Sequence, residues 1–130
     1  MEMFVHPALL IAETELKGRG VFTKKKIAAG TIIETAPVIA FDSKERALLE
    51  QTALTNYVFE WGDGHTGCCV ALGWVSIYNH ASPSNCEYIM VFDTKTIHIQ
   101  TVVAIPANSE LTINYNGDWN EDKAVWFDAV

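Results

Sequence analysis

One abrupt change of composition in the middle of the chain constrains its fold more than any other feature. Residues 68–77 form a strongly apolar run, which is typical of a buried strand. Residues 78–86 follow directly and have the sequence YNHASPSNC, whose Asn, Ser and Pro predict that the chain leaves the sheet for a turn. Amide and imidazole groups at such an exit lie at the edge of a core, where ligands are often bound. Asn79 and His80 are therefore candidate binding residues, although a lone His beside an apolar strand is more often a satisfied core residue.

Short strands are predicted along most of the chain, because brief runs of β-branched and aromatic residues alternate with Gly, Pro, Asn and Asp. We expect breaks at Gly18-Arg19-Gly20 and at Pro37, and a hairpin whose turn is residues 93–95. This pattern indicates a mainly-β domain. The predicted strands are 5–12, 21–22, 31–34, 38–41, 57–61, 68–77, 87–92, 96–102 and 111–113.

One helix is expected to interrupt this succession of strands. Asp42 or Ser43 is suited to cap its N-terminus, and Glu45 lies in its first turn. An apolar face follows, so the helix is expected to run to about Leu54. The acidic and aromatic tail 118–130 is expected to form a short closing helix.

Size and composition set the class of protein. The chain has 130 residues, of which 49% are hydrophobic, so we expect one domain with a substantial core. No apolar run approaches the roughly 20 residues needed to span a bilayer. The N-terminus has neither the basic nor the apolar region of a signal peptide, so we expect a cytoplasmic protein. Three cysteines, two of them adjacent, favour reduced thiols, and no paired Cys or His spacing predicts a metal site.

The net charge of -7 bears on possible partners. It argues against nucleic acid as a direct ligand, because binding to phosphates requires a basic patch. The simpler interpretation of the charge is solubility. The alternative is long-range attraction of a basic partner, such as a lysine-rich tail.

Three short motifs occur in a fixed order along the chain. They are GRGVF at 18–22, NHASPSNC at 79–86 and ELTINY at 110–115. A lone Gly-x-Gly is most often a plain turn, and a tyrosine at a strand end is common. Taken together and in this order, the three motifs resemble those of the SET-domain methyltransferase family.

The resemblance implies both a fold and an activity. The fold would be a mainly-β, β-clip-like SET domain with several short-stranded sheets, a pseudoknot and one or two short helices. It would form one domain over residues 1–130, with a core at about 15–119 and a tail at 120–130. The activity would be methyl transfer from S-adenosyl-L-methionine to a lysine amine of a histone or another basic protein, by a protein-lysine N-methyltransferase.

The resemblance also implies roles for individual residues. Gly18, Arg19 and Gly20 would wrap the methionine part of the cofactor. Asn79 and His80 would contact the cofactor's amino group and adenine. Tyr115 would lie at the site of methyl transfer. Aromatic rings tolerate a methylammonium group well, and the rings lining the lysine channel would be those of Tyr57 and Trp119.

The chain departs from the family pattern at several positions. Ser76-Ile77-Tyr78 stands where the family often has Arg-Phe-Ile, and Asn114 stands where Asp is frequent. No cysteine follows Cys86, so the zinc cluster that closes the cleft in many relatives is absent from this sequence. The chain resembles minimal viral or bacterial SET proteins, for which a homodimer is expected. The cleft would then be completed by the tail, by a second copy of the chain, or by nothing.

Two other interpretations stay open at this point. One is a non-catalytic SET-like module that binds a lysine-bearing partner, which the altered residues 76–78 favour. The other is a small β domain whose motifs coincide by chance.

Overall fold

Ten short strands dominate the described part of the chain, for which the computed structural model covers residues 2–62, 64 and 66–115. The mainly-β prediction is confirmed. One α-helix, α1 (Ser43–Leu49), and the 3₁₀-helices Ala53–Asn56 and Val75–Ile77 connect the strands. In chain order the strands are β1 (Phe4–Val5), β2 (Leu9–Thr14), β3 (Gly18–Thr23), β4 (Ile32–Phe41), β5 (Val58–Trp61), β6 (Gly67–Ala71), β7 (Asn79–His80), β8 (Cys86–Val91), β9 (Thr96–Thr101) and β10 (Ser109–Ile113).

The strands form a larger and a smaller sheet. The larger sheet has the order β5-β6-β4-β9-β8, and β1 also pairs with β4. Its two end strands meet through aromatic pairs, with ring centroids 5.1 Å apart for Phe59 and Tyr88 and 4.7 Å apart for Trp61 and Phe92. The sheet therefore curls until its ends touch. The smaller sheet has the order β2-β3-β10-β7, and its β7–β10 pair is parallel.

The hydrophobic core fills the space between the two sheets. Many of its fully buried side chains come from β3, β4, β9 and β10, which are central strands of the two sheets. They include Val21, Ile33, Ile97, Ile99, Leu111 and Ile113. None of the described helices is long and apolar enough to cross a membrane.

Strand β4 is continuous, so the predicted break at Pro37 is wrong. Residues 32–37 pair with β9, and residues 38–41 pair with β6. Pro37 lies where the strand changes its hydrogen-bonding partner, which is a position where a missing backbone N–H is tolerated. Its carbonyl oxygen is still used, because Leu72 N donates to it at 2.9 Å.

Gly18-Arg19-Gly20 is likewise part of a strand, and the predicted break there is wrong. These residues begin β3 and pair with Thr14, Glu13 and Ala12 of β2. Gly18 has a φ of 71°, which lets the chain reverse direction immediately before the strand. The turn lies at residues 15–17, before Gly18, so the glycines themselves are part of the strand.

Three other boundaries differ from the prediction. The expected strand 5–12 is divided between β1 and β2, and the strand expected at 68–77 ends at Ala71. Helix α1 ends at Leu49 instead of about Leu54, and a 3₁₀-helix follows it. Its N-terminus is as expected, with the Asp42 side chain accepting from Glu45 N in a capping box. The hairpin of β8 and β9 is also confirmed.

Candidate functional site

The smaller sheet brings the three motifs together. Gly18-Arg19-Gly20 lies on β3, Asn79 and His80 form β7, and residues 109–113 form β10 between them. Asn79 lies opposite Thr112, in the parallel β7–β10 pair. The segment that the sequence predicted to be a turn is thus a short strand, because β10 offers it a free edge late in the chain.

The side chain of Asn79 connects all three motifs. Its Nδ2 donates to Glu110 Oε2 at 2.7 Å and to the carbonyl oxygen of Arg19 at 3.2 Å. Both amide hydrogens are thereby directed at acceptors, which fixes the orientation of the amide. Its Oδ1 is then the atom available to accept a hydrogen bond from a ligand. Arg19 contributes its carbonyl oxygen here, while its side chain is exposed.

Gly20 is required by the same arrangement. A Cβ at this position would lie 2.5 Å from Glu110 Oε2 and 2.9 Å from Asn79 Nδ2. Both atoms would have to move to make room for it. The space beside Gly20 is therefore occupied by the Glu110 and Asn79 side chains.

Tyr115 follows β10 directly and is held at three points. Its hydroxyl donates to the carbonyl oxygen of Tyr78 at 2.7 Å, and its backbone N–H donates to His80 Nδ1 at 3.1 Å. Its own carbonyl oxygen accepts from the Tyr88 hydroxyl at 3.2 Å. The rings of Tyr115 and His80 are tilted against each other with centroids 5.1 Å apart. The hydroxyl oxygen therefore has a fixed position and a fixed direction for its hydrogen.

The Tyr115 phenol is neutral at physiological pH. Burial, with smaller contributions from Glu110 and Tyr57, raises the pKa of Tyr115 to about 12. Because its hydrogen points at the Tyr78 carbonyl, the Tyr115 oxygen presents lone pairs to any group that approaches from another direction.

His80 has a defined tautomer. Its Nδ1 accepts the Tyr115 N–H, so the ring hydrogen lies on Nε2. Burial lowers the pKa of His80, and the charge of Lys17 lowers it further. Lys17 Nζ also donates to the His80 carbonyl oxygen at 2.7 Å. The ring is thus a neutral support for the Tyr115 backbone.

Asn85 anchors the end of the second motif. Its Oδ1 accepts from Thr112 N at 2.8 Å, and its Nδ2 donates to the Glu110 carbonyl oxygen at 2.9 Å. One side chain thereby replaces a neighbouring strand along β10. Cys86 next to it is fully buried, and burial raises its pKa to about 12, so it has no reactive thiolate.

The two predicted channel residues have different outcomes. Tyr57 follows the first 3₁₀-helix, is 48% exposed, and its carbonyl oxygen accepts from Ser76 Oγ at 3.2 Å. Trp119 lies outside the described residues, as does the predicted closing helix.

Sequence reasoning missed several residues of this region. Tyr78 and Tyr88 hydrogen bond to Tyr115, and Glu34 accepts from the Tyr78 hydroxyl. Glu110 lies inside the third motif, so its partnership with Asn79 was within reach of the sequence. The departure from the family pattern at residues 76–78 was the sequence signal that could have identified Tyr78. Glu34 gave no signal, because its partner is far away in the chain.

Comparison with known proteins agrees with this geometry. The SET domain family profile matches residues 18–116. A histone-lysine N-methyltransferase of Schizosaccharomyces pombe, specific for H3 lysine 37, is 37% identical over 123 residues, which are 92% of this chain and 82% of the relative. The chain therefore belongs to the SET domain family.

Solved structures share the fold. A Plasmodium falciparum protein described as a candidate histone methyltransferase matches with a TM-score of 0.65 and 23% identity, over 88% of this chain and 98% of that one. The autoinhibited ctPRC2 complex bound to S-adenosylmethionine matches with a TM-score of 0.69 and 20% identity. That match covers 85% of this chain and 15% of the chain in the complex. The neighbours are SET-domain methyltransferases, and the SET fold predicted from the three motifs is confirmed.

Proposed function

We propose that this protein is an S-adenosylmethionine-dependent protein-lysine N-methyltransferase that acts on a histone. The observation that carries the proposal is the convergence of the three motifs on two points, the Asn79 amide and the Tyr115 hydroxyl. Family membership and the similarity to a histone-lysine methyltransferase support the same reaction.

The residues around Gly20 fit the cofactor. The carbonyl oxygen of the Asn79 amide, whose Nδ2 is held by Glu110 beside Gly20, is a suitable acceptor for an ammonium group. Gly18, Arg19, Gly20, Asn79 and His80 are the residues that would hold S-adenosylmethionine. When bound, this cofactor supplies an electrophilic methyl group on a sulfonium.

Tyr115 is suited to orient the reacting groups and to stabilise positive charge, not to remove a proton. With a pKa of about 12, its phenol is neutral, and its hydrogen is already donated to Tyr78. The Tyr115 hydroxyl and the Tyr78 carbonyl bring two oxygens within 2.7 Å of each other. Their partial negative charge favours a group that carries positive charge, such as an activated methyl or a product ammonium.

The lysine substrate must reach this point as a neutral amine. Tyr88, whose hydroxyl donates to the Tyr115 carbonyl oxygen, and the exposed Tyr57 supply aromatic surface for the proposed lysine channel. Removal of the ammonium group from water lowers its pKa, and the faces of the rings accept a methylated cation. Tyr57, with about half of its surface exposed, is the residue on the path of entry.

A histone substrate is supported by similarity and by charge. The relative of Schizosaccharomyces pombe is named for one lysine of histone H3. Histone tails are basic, and this chain has a net charge of -7, so encounter between them is electrostatically favourable. The particular lysine of this protein's substrate is left to experiment.

A homodimer is part of this proposal. The three motifs resemble those of minimal SET proteins, in which a second copy of the chain can complete the cleft. Light scattering of the purified protein tests this, and a strictly monomeric active enzyme would remove the homodimer from the proposal.

The first experiment is methyl transfer from radiolabelled S-adenosylmethionine to recombinant histones and lysine-rich peptides, with Tyr115→Phe as the matched variant. We expect label on lysine and a loss of about a hundredfold in kcat for the variant, with cofactor binding preserved in calorimetry. Full turnover by a folded Tyr115→Phe protein would remove Tyr115 from the reaction.

The second candidate function is a SET-like module that binds its partner without turnover. Ser76-Ile77-Tyr78 in place of Arg-Phe-Ile is the observation that favours it. Cofactor binding without label on any substrate, in the same experiment, is the outcome it predicts. Absence of cofactor binding as well would favour a pure interaction module.

A further inference from the structure

A buried carboxyl group bonds to the segment that leads into the candidate site. Glu34 belongs to the central strand β4 and is fully buried. Its Oε1 accepts from the Tyr78 hydroxyl at 2.9 Å, and its Oε2 accepts from the backbone N–H of Trp74 at 2.7 Å. Both oxygens of one carboxyl group are therefore committed to one short segment.

That segment is the 3₁₀-helix Val75–Ile77, which directly precedes β7. Trp74 is its N-cap and Tyr78 its C-cap. Glu34 thus holds both ends of the helix, through the N–H of one cap and the side chain of the other. Gly73 makes room for this contact, because a Cβ there would lie 2.5 Å from Glu34 Oε2. The carboxyl group can neither rotate nor withdraw without losing one of its two partners.

Tyr78 links this carboxyl group to the candidate catalytic tyrosine. Its ring is fully buried, its hydroxyl is fixed by Glu34, and its carbonyl oxygen accepts the Tyr115 hydroxyl at 2.7 Å. A shift of the Tyr78 ring moves its backbone, and the Tyr115 hydroxyl must follow or lose its acceptor. Burial of a carboxyl group is costly, and apolar side chains would fill the same volume more stably.

We propose that Glu34 is a positioning residue for methyl transfer, which acts through Tyr78 to fix the direction of the Tyr115 hydroxyl. The inference rests on the proposed function, since it gives Glu34 a role in that reaction. Glu34 does not touch substrate or cofactor in this role. It determines the place of the Tyr78 carbonyl, and that carbonyl determines where the lone pairs of Tyr115 point.

Two single variants, each also made in a Tyr115→Phe background, test whether Glu34 acts on Tyr115 through Tyr78. Glu34→Gln replaces one of the two carboxyl oxygens with an NH₂ group. Either Trp74 N or the Tyr78 hydroxyl then faces a donor where it had an acceptor. Tyr78→Phe is milder, because it keeps the ring and removes only the hydroxyl. We expect each to lower kcat by about tenfold, with the Kd of S-adenosylmethionine and the KM of the peptide changed by less than about twofold. In a Tyr115→Phe background, neither substitution should lower kcat further.

A second readout does not depend on activity. The chain contains four tyrosines, so the Cζ signals of a ¹³C-tyrosine-labelled protein can be assigned with single Tyr→Phe variants. The Tyr115 signal is expected to shift in Glu34→Gln and in Tyr78→Phe. The control is Thr101→Val, a buried threonine outside the site whose hydroxyl donates to Ala28 O at 2.8 Å. It should lower stability and leave both kcat and the Tyr115 signal unchanged.

The outcomes distinguish the effect of Glu34 on Tyr115 from the methyltransferase activity itself. Unchanged kcat and an unchanged Tyr115 signal in a folded Glu34→Gln or Tyr78→Phe protein would overturn the inference. A loss of kcat that persists in the Tyr115→Phe background would overturn it too, because the effect would then be one of general structure. A wild-type protein that methylates nothing, but whose Tyr115 signal shifts in both variants, would refute the proposed function and leave the coupling of Glu34 to Tyr115 through Tyr78 established.

Discussion

The Asn79 amide donates to the Glu110 carboxylate at 2.7 Å, directly above the backbone of Gly20. This contact holds the second and third motifs together and fills the space beside Gly20 of the first. It explains why a Gly, an Asn and a Glu from distant parts of the sequence are required at one place. The same contact gives the first two predictions.

Gly20→Ala should abolish most cofactor binding. The new methyl group would collide with Glu110 Oε2 and Asn79 Nδ2, so the Asn79 amide would be displaced. We expect a rise of more than about tenfold in the Kd of S-adenosylmethionine, measured by calorimetry. The control is Gly30→Ala, at a glycine with a φ of 76° and open space around it. That substitution should cost about 1 kcal/mol of stability and leave the Kd unchanged, and equal effects of the two variants on the Kd would contradict this account.

Glu110→Ala and Glu110→Gln should differ. Alanine removes the acceptor that fixes the Asn79 amide, which is then free to turn its donors toward the ligand. Glutamine keeps an oxygen acceptor. We therefore expect a loss of about tenfold in cofactor affinity for alanine and a smaller loss for glutamine. Calorimetry on both variants measures this, and an equal loss for both would show that charge, not amide orientation, is what Glu110 contributes.

Asn85→Asp should destabilise the protein more than its small change of structure suggests. The amide Nδ2 donates to the Glu110 carbonyl oxygen, and in aspartate a charged oxygen would face that carbonyl instead. A cost of about 2 to 3 kcal/mol in the free energy of unfolding is expected, as measured by urea denaturation. Asn108→Asp at an exposed turn is the control, and it should change stability by less than about 0.5 kcal/mol.

Protonation of His80 should weaken the fold as the pH falls. Burial, and secondarily Lys17, lowers its pKa in the folded state below 6.5, so the unfolded chain binds a proton that the folded chain rejects. The stability contribution is present above pH 6.5 and is lost as the pH falls through the folded-state pKa. His80→Asn, which keeps an acceptor for Tyr115 N, should reduce this dependence in urea denaturation between roughly pH 5 and 7. An unchanged slope would assign the pH dependence to other groups.

Tyr57→Ala should affect the substrate and not the cofactor. The ring is 48% exposed, so its loss removes aromatic surface from the proposed path of the lysine. We expect a rise of roughly tenfold in the KM of the peptide, with an unchanged Kd for S-adenosylmethionine. Tyr57→Phe, which keeps the ring, should stay close to the wild type. A rise in the Kd of the cofactor would instead place Tyr57 at the cofactor.

Local patterns were sufficient for the elements that depend on local chemistry. The Asp42–Glu45 capping box and the β8–β9 hairpin were predicted because both signals lie within a few residues. The predicted breaks at Pro37 and at the glycines of β3 were wrong, because Pro and Gly usually interrupt an ordinary strand. Pro37 is tolerated where β4 changes partners, and the glycines are accommodated because their turn comes earlier.

The candidate site was likewise predicted from the sequence only in part. Its motifs were visible in the sequence because each is contiguous. The bond of Glu34 to Tyr78 was not visible, because it joins residues 44 positions apart in the chain and leaves no periodic trace. The short strand at Asn79 was missed for a related reason, since two residues become a strand only when β10 is present to pair with them.

The parallel pairing of β7 with β10 has a consequence for how the protein is made. Asn79 has no fixed amide until Glu110 arrives, and His80 has no partner for Nδ1 until Tyr115 arrives. Such long-range pairing forms late, because the intervening chain must first be ordered. During synthesis, the strands up to β9 can assemble on the ribosome, yet the binding surface is completed only when the last described strand has emerged. A nascent chain therefore stays inert toward its cofactor until the third motif leaves the exit tunnel.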